Sequence, residues 1–394
     1  MKKIVGIIGA AAVLASSIFA VDTAARVYMN SDIASGGVDK DTEFFKLKTS
    51  EQKDADALVL SANLDNAGAQ FQFWYRYDGK GQYSTYDDNG TTKLNDVIEV
   101  RSARIWFKPV DMLKITVGDL DIGMYKEMLH WWKDPIGTKY SPYYNGYSSA
   151  PVVDGAGFSC ELTPVDGLWI ALAGAAGTDT ANLTLTKDDF TYAQWGFGAK
   201  YSLSAVADLP LSIGVSWRDN GYNDWKVLGI GADYGNAWAD GLYAMVNGRL
   251  RFNENDGGKL DGITVDNYFK FTAGAFVAHL RAPVTIRTSG NDDDPSWLAW
   301  SAKVQYALDG FTPYFLFGND MNNAGAWALS DKFGDTFTMQ FKPGVELNVG
   351  ACSINAGIVL DLAWGDADHN GTGLLQWAAK KFTWSVPVEF SVAF

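Results

Sequence analysis

Residues 382–394 read FTWSVPVEFSVAF. Phe382, Trp384, Val386, Val388, Phe390, Val392 and Phe394 are apolar, and between them stand Thr383, Ser385, Pro387, Glu389, Ser391 and Ala393. Successive side chains of a β-strand point to opposite faces, so strict alternation over this length gives one continuous apolar face and one mostly polar face. A strand with lipid on one side and water on the other has this pattern. Pro387 cannot donate a ladder hydrogen bond and predicts a bulge or a locally unpaired position.

The same plan recurs upstream. Phe337, Met339, Phe341, Val345 and Leu347 alternate with Thr338, Gln340, Lys342 and Glu346, and Ile354 to Trp364 repeats it after a few turn residues. Trp195 to Leu203 faces Leu209 to Trp217, and Leu242 to Phe252 forms a further strand. Two connections are near-copies, Lys108-Pro109-Val110-Asp111-Met112-Leu113 and Thr163-Pro164-Val165-Asp166-Gly167-Leu168. Pro presets φ and Asp supplies a local acceptor, which is turn chemistry. Asp208-Leu209-Pro210 and Leu308-Asp309-Gly310 take equivalent places. Longer acidic, Gly- and Asn-rich stretches at 79–96, 253–265, 319–334 and 365–379 lie between the hairpins. Alternating short and long connections predict an all-β fold, a transmembrane antiparallel up-and-down β-barrel of about 16–18 strands. The segments 43–48 and 283–288 are the weakest strands in that count. A soluble double sheet also alternates, but it explains neither the last strand nor polar faces that carry Arg and Lys opposite fully apolar ones.

The first residues carry Lys2 and Lys3, an apolar run from Ile4 to Leu14, and small residues after it. That is the layout of a secretory signal peptide and is too short for a membrane helix. Residues 1–20 are therefore expected to be cleaved, with Ala25 as an alternative site, leaving 21–394 as the barrel. The chain has 15 Trp, 18 Tyr and 22 Phe, enough for aromatic girdles at both bilayer interfaces. Net charge is −14, and −16 without Lys2 and Lys3, which argues against nucleic acid as a partner. The two cysteines, Cys160 and Cys352, suggest no disulfide framework. Cys160 falls between Phe158 and Leu162 on an apolar face.

If apolar faces meet lipid, the interleaved residues line the lumen. The basic ones are Arg76, Lys114, Lys200, Arg218, Arg249, Arg251, Lys270, Arg287, Lys303 and Lys342; the acidic ones are Glu161, Asp233, Glu346, Asp361 and Glu389. Such a wall is basic although the chain is acidic, and it would focus anions. Local pairing of these charges, merely keeping the wall wet, is the equal alternative. In strand 97–108 either Glu99 and Arg101 or Arg104 and Lys108 would face lipid, which a bulge or an end position resolves. The longest connection, 122–153, carries Met124, Met128, Trp131 and Trp132 at helical spacing and then Tyr140, Tyr143, Tyr144 and Tyr147.

The terminal aromatic strand, with Phe390, Val392 and Phe394, resembles the C-terminal signal read by the outer-membrane barrel-assembly machinery. Over 21–394 the architecture resembles the porins of diderm, Gram-negative-type bacteria. That resemblance implies an outer-membrane location in contact with lipid and passive diffusion of small hydrophilic solutes or ions, to which the basic wall adds a mild lean to anions. It also implies a homotrimer as the default assembly, and a third loop, here 122–153, that folds inward and constricts the lumen; a long aromatic loop lying over the mouth or binding a partner is the alternative. The rivals are a sugar-selective channel using Trp74, Tyr243, Tyr268 and Tyr314 as a stacking track, and a poorly conducting surface adhesin that uses the barrel as an anchor.

Asp366, Asp368 and Asn370 match the start of a calcium loop, but Trp377 stands where a bidentate Glu is needed, so an ordinary polar loop is the better reading. The histidines are His130, His279 and His369, with no nucleophile paired to any of them. No enzyme activity and no cofactor are expected.

Overall fold

The computed structural model describes residues 21–37, 40–47, 57–75, 83–86, 92–95, 98–123, 151–175, 194–220, 225–236, 239–282, 284–288, 297–298, 300–318, 327–328, 336–365 and 381–393. Among them, 23 strand segments join into one antiparallel sheet. Five staves are each split into two segments, so the sheet has 18 staves. The first six are β1 (Val21–Gly37), β2 (Lys40–Leu47 with Ala57–Asn63), β3 (Ala67–Tyr75), β4 (Ile98–Val110), β5 (Leu113–Gly123) and β6 (Pro151–Leu162). Next come β7 (Leu168–Ala175), β8 (Gln194–Ser202), β9 (Leu211–Asn220), β10 (Trp225–Tyr234), β11 (Gly241–Asn253) and β12 (Lys259–Ala273). The last six are β13 (Phe276–Arg281 with Val284–Arg287), β14 (Trp297–Leu298 with Ser301–Tyr306), β15 (Phe311–Gly318 with Trp327–Ala328), β16 (Thr336–Val349), β17 (Cys352–Gly357 with Val359–Gly365) and β18 (Lys381–Ala393). Each stave pairs with the next in sequence, and β18 returns to β1 from Arg26↔Ala393 to Gly37↔Thr383. The sheet is a closed barrel, so every stave has two neighbours and no long edge is left open.

The burial pattern is inverted relative to a soluble protein. On β9 the apolar Ile213, Val215 and Trp217 are exposed, while Ser212 and Ser216 are buried. On β12 Val265, Phe269 and Phe271 are exposed, while Asp266, Tyr268 and Lys270 are buried. An outer surface of this kind is stable only against hydrocarbon, where a charge near the midplane costs about 2–4 kcal/mol. Ile230, paired with Val215 at the centre of β10, is 59% exposed. Ile230→Arg is therefore expected to lose about 2–4 kcal/mol of folding stability in vesicles, measured by urea titration of tryptophan fluorescence.

One end of the barrel is closed by short connections, such as Asp111-Met112, Gly274-Ala275 and Gly350-Ala351. Both Val21 and the end of β18 lie at this end. Expected turns at 108–113, 163–168, 208–210 and 308–310 are all found there. The free Cys160 and Cys352 stand on β6 and β17, not joined to each other.

Several details differ from, or refine, the reading of the sequence. The stretch 253–265, read as a loop, is a tight turn at 254–258, closed by Gly257 (φ 68°) and Gly258 (φ 75°), followed at once by β12. Within 319–334, also read as a loop, Trp327 and Ala328 pair with Leu298 and Trp297 and belong to β15. The connection 122–153 is shorter than expected, since β5 runs to Gly123 and β6 starts at Pro151. On β4 the register skips Arg101, between Gln72↔Ser102 and Phe73↔Val100. This bulge resets the alternation and keeps Arg104 and Lys108 opposite the exposed Ile105 and Phe107. Pro387 sits where the β1 register shifts, between Asp32↔Pro387 and Ser35↔Ser385, and beside the break in β17 at Ile358. The segments 43–48 and 283–288 fall in the split staves β2 and β13. Residues 1–20, Arg76, Met128, Trp131, Trp132, Tyr140, Tyr143, Tyr144, Asp366, Asp368, Asn370 and Phe394 lie outside the described residues.

Candidate functional site: the inner wall

Direct cross-strand partners share a level, so the register arranges the inner face in rows. Near the long-connection end, Ala173, Gly196, Arg218, Val227, Arg251, Gly262 and Arg287 are successive partners from β7 to β13. Asp261, at the bulge of β12, accepts from Arg251 Nε at 2.8 Å and lies 3.9 Å from Arg287 Nη1. Below this row come Arg249 and Thr264, whose hydroxyl shares a 3.0 Å hydrogen bond with Thr285.

Past the Asn247 and Asp266 level, a further row runs Met245, Tyr268, Arg281, Ser301, Gly318, Gln340, Asp361. Arg281 is 1% exposed and donates Nε to Asp266 Oδ1 at 2.8 Å and Nη2 to Oδ2 at 2.5 Å. Gln340 donates to Asp361. Closer to the short turns is a row of Tyr243, Lys270, His279, Lys303, Leu316 and Lys342. Tyr268 Oη and His279 Nδ1 share a 2.7 Å hydrogen bond. Lys303 Nζ donates to Glu346 at 3.2 Å and stands 4.8 Å from the centre of the Tyr314 ring. Tyr314 donates to Asn355 at 2.8 Å, and Asn355 donates in turn to Glu389 at 3.4 Å. Its ring passes Gly344, where a Cβ would come within 2.3 Å of Tyr314 Oη, so only glycine leaves room. Further round, Lys114 pairs with Glu161 and Lys200 with Asp233, each at 3.2 Å, and Trp169 also donates to Glu161.

All the expected wall positions that fall among the described residues are thus on the inner face. Lys114, Lys200, Arg251, Arg287 and Lys303 stand in ion pairs with carboxylates, and Arg218, Arg249, Lys270 and Lys342 share the same rows. The wall is more evenly charged than the sequence suggested, because Asp261 and Asp266 were assigned to loop or passed over and Arg281 was missed. Reading alternation through from Tyr268 and from His279 finds Asp266 and Arg281. The proposed aromatic track is not an open one. Tyr243, Tyr268 and Tyr314 are 1%, 4% and 5% exposed, so they offer no free stacking face, and the Trp74 side chain is outside the described residues.

One junction in the wall is held from both sides. At the break in β13, Asn267 on the outer face donates Nδ2 to the Ala282 carbonyl at 2.7 Å and accepts from the Ala282 N–H at 3.0 Å. On the inner face, the adjacent Asp266 holds the adjacent Arg281. Consecutive residues of β12 therefore grip consecutive residues of β13 across the wall.

Solved structures similar to this chain include an outer-membrane protein and a porin. The chain has the fold of the outer-membrane porins. Pseudomonas aeruginosa OpdK, solved with vanillate, superposes with a TM-score of 0.51 at 11% identity over 95% of this chain and 99% of that one. Acinetobacter baumannii OccAB2 gives 0.54 at 11% identity, over 95% and 97% of the two chains. A BenF-like porin from Pseudomonas fluorescens Pf-5 gives 0.54 at 10% identity, over 95% and 98%. No protein-family model and no curated protein sequence matches the chain. The porin fold thus spans the whole described barrel at a sequence identity that carries architecture alone.

Proposed function

We infer that the protein is an outer-membrane channel for small hydrophilic solutes and ions. One observation carries this: the barrel closes with charged and polar residues inside and exposed apolar residues outside, and 18 staves enclose more space than wall side chains fill. The layout of Lys2 and Lys3, the apolar run from Ile4 to Leu14 and the small residues after it supports removal of residues 1–20. The C-terminal segment with Phe390, Val392 and Phe394 is the part we assign to recognition by the assembly machinery.

A mild preference for anions is the finer reading. The Lys270, Lys303 and Lys342 row supports it, although Glu346 pairs with Lys303, and the pairs at Lys114, Lys200 and Arg251 neutralise much of the rest. The mature chain, refolded into a planar bilayer across a KCl gradient, is expected to give discrete current steps and a reversal potential on the anion side. Lys303→Glu is expected to lower the anion-to-cation permeability ratio by roughly fivefold, about 1 kcal/mol for a charge change in a wet lumen. A folded barrel without current would sink the channel reading; current with an unmoved reversal potential in the variant would sink only the anion preference.

A further inference from the structure

Alternation counted from the short turns measures how tall the apolar belt is on each stave. On β16 the outward positions Val349, Leu347, Val345, Pro343, Phe341 and Met339 are all apolar, six in succession. β17 and β18 do the same from Cys352 to Leu362 and from Val392 to Phe382. The far side of the barrel differs. On β5 the outward Leu113, Ile115 and Val117 are followed by Asp119, whose neighbour Leu120 packs inward with Val153 and Ala173. On β9 the outward run ends at Trp217 and gives way to Asp219; on β10 it ends at Leu228 and gives way to Lys226. Each outward step is two residues, about 6.7 Å of strand, which a tilt of about 35–45° turns into roughly 5 Å of height. The apolar belt is therefore about 30 Å tall on β16–β18, about 20 Å on β9 and β10, and about 15 Å on β5. The ordinary belt is level at about 25 Å.

The surroundings of the charges say what meets the short side. Asp219 and Lys226 are direct register partners with an ion pair of 3.5 Å, their side chains 33% and 32% exposed. Trp195 precedes Asp219 in that row and Phe252 follows Lys226, so the pair lies between aromatic rings. Trp195 meets Phe158 edge-on with ring centres 5.9 Å apart, and Trp217 lies 6.3 Å from Phe252. Aromatic girdles lie where hydrocarbon gives way to headgroups, and outward charges are cheap only near that level. A second copy of the chain on this arc would bury the Asp219–Lys226 pair and Asp119, whereas the cores of protein interfaces are poor in charge. Polar lipid headgroups meet the same groups without that cost. A bilayer accommodates a short belt by thinning beside it, at a modest cost per ångström.

We propose that along the β5–β10 arc polar headgroups of the leaflet at the long-connection end come down to Asp119, Asp219 and Lys226, about 10 Å lower than beside β16–β18. The lipid-facing belt is then stepped, which rests on the membrane barrel and not on conduction through it. A fluorescent depth label tests the step. The mature chain, with Cys160→Ser and Cys352→Ser, carries an NBD group on Ala156→Cys or on Phe341→Cys and is folded into dioleoyl-phosphatidylcholine vesicles. Ala156 is the register partner of Asp119 and the fourth outward position of β6, and Phe341 is the fifth of β16. In a level belt Phe341 is the shallower of the two. Lipids with a nitroxide at the headgroup are expected to quench the Ala156 label more than the Phe341 label. Lipids with a nitroxide deep in the acyl chain are expected to do the reverse. The opposite order would overturn the step. An Ala156 label that neither lipid quenches would overturn it in favour of a second copy on this arc. A further variant needs no label: Asp119→Leu with Asp219→Leu and Lys226→Leu levels the belt. Its stability optimum is expected to move to longer acyl chains across a series of phosphatidylcholine vesicles, and an optimum shared with the parent would overturn the step. KCl current decides the channel reading separately, since neither readout depends on it.

Discussion

Asp266→Ala is expected to destabilise the folded barrel by about 3–5 kcal/mol, the cost of stranding one member of a buried ion pair. Arg281 and Asp266 have side chains 1% and 0% exposed and are joined by two hydrogen bonds. Without the carboxylate, the guanidinium keeps its charge in a place where water does not reach it. The pair itself adds little net stability, because desolvating two charges nearly cancels their attraction. Asp266→Leu combined with Arg281→Met is therefore expected to recover most of the loss. Urea-dependent folding into vesicles, followed by tryptophan fluorescence and heat-modifiable gel mobility, measures both variants. A loss below about 1 kcal/mol in Asp266→Ala would show that water solvates Arg281 and that the pair is not sealed.

Asn267→Leu gives the second large effect, and its sign separates two accounts. By side-chain polarity alone, leucine on the outer face suits lipid better than asparagine, and stability should rise. In this barrel the Asn267 amide stands in for a missing ladder partner, taking both the N–H and the carbonyl of Ala282. Backbone groups left unpaired in hydrocarbon cost several kcal/mol each before relaxation, so a net loss of about 2–4 kcal/mol is expected. The Ala282 amide should also exchange with deuterium faster in the variant. A leucine variant as stable as the parent would mean that these groups find other partners.

The alternation at 382–394 was enough to read lipid on one face and water on the other, because the apolar positions stay in phase for the whole strand. The same rule worked wherever a strand was regular, as on β9 and β16. It failed where wall residues are themselves polar. Asp261 and Thr264 resemble loop residues in composition, yet they stand on β12 because an inner wall needs such side chains to hold Arg251 and Thr285. Breaks were equally opaque. Nothing local in 319–334 tells that Trp327 re-enters the sheet, since its partner Leu298 is fixed by the barrel and not by neighbouring residues. The pairing of charges is a property of registers between staves, and a single strand does not display it. The candidate wall was thus legible residue by residue, and its charge balance was not.

The two grips at the break in β13 sit back to back. Asp266 and Asn267 are neighbours in sequence, and so are the Arg281 and Ala282 that they hold, one pair facing the lumen and the other the bilayer. A shift of either peptide unit moves both grips at once, so what the membrane does to Asn267 is felt by the lumen charge on Arg281. Losses from Asp266→Ala and Asn267→Leu are then coupled and do not simply add.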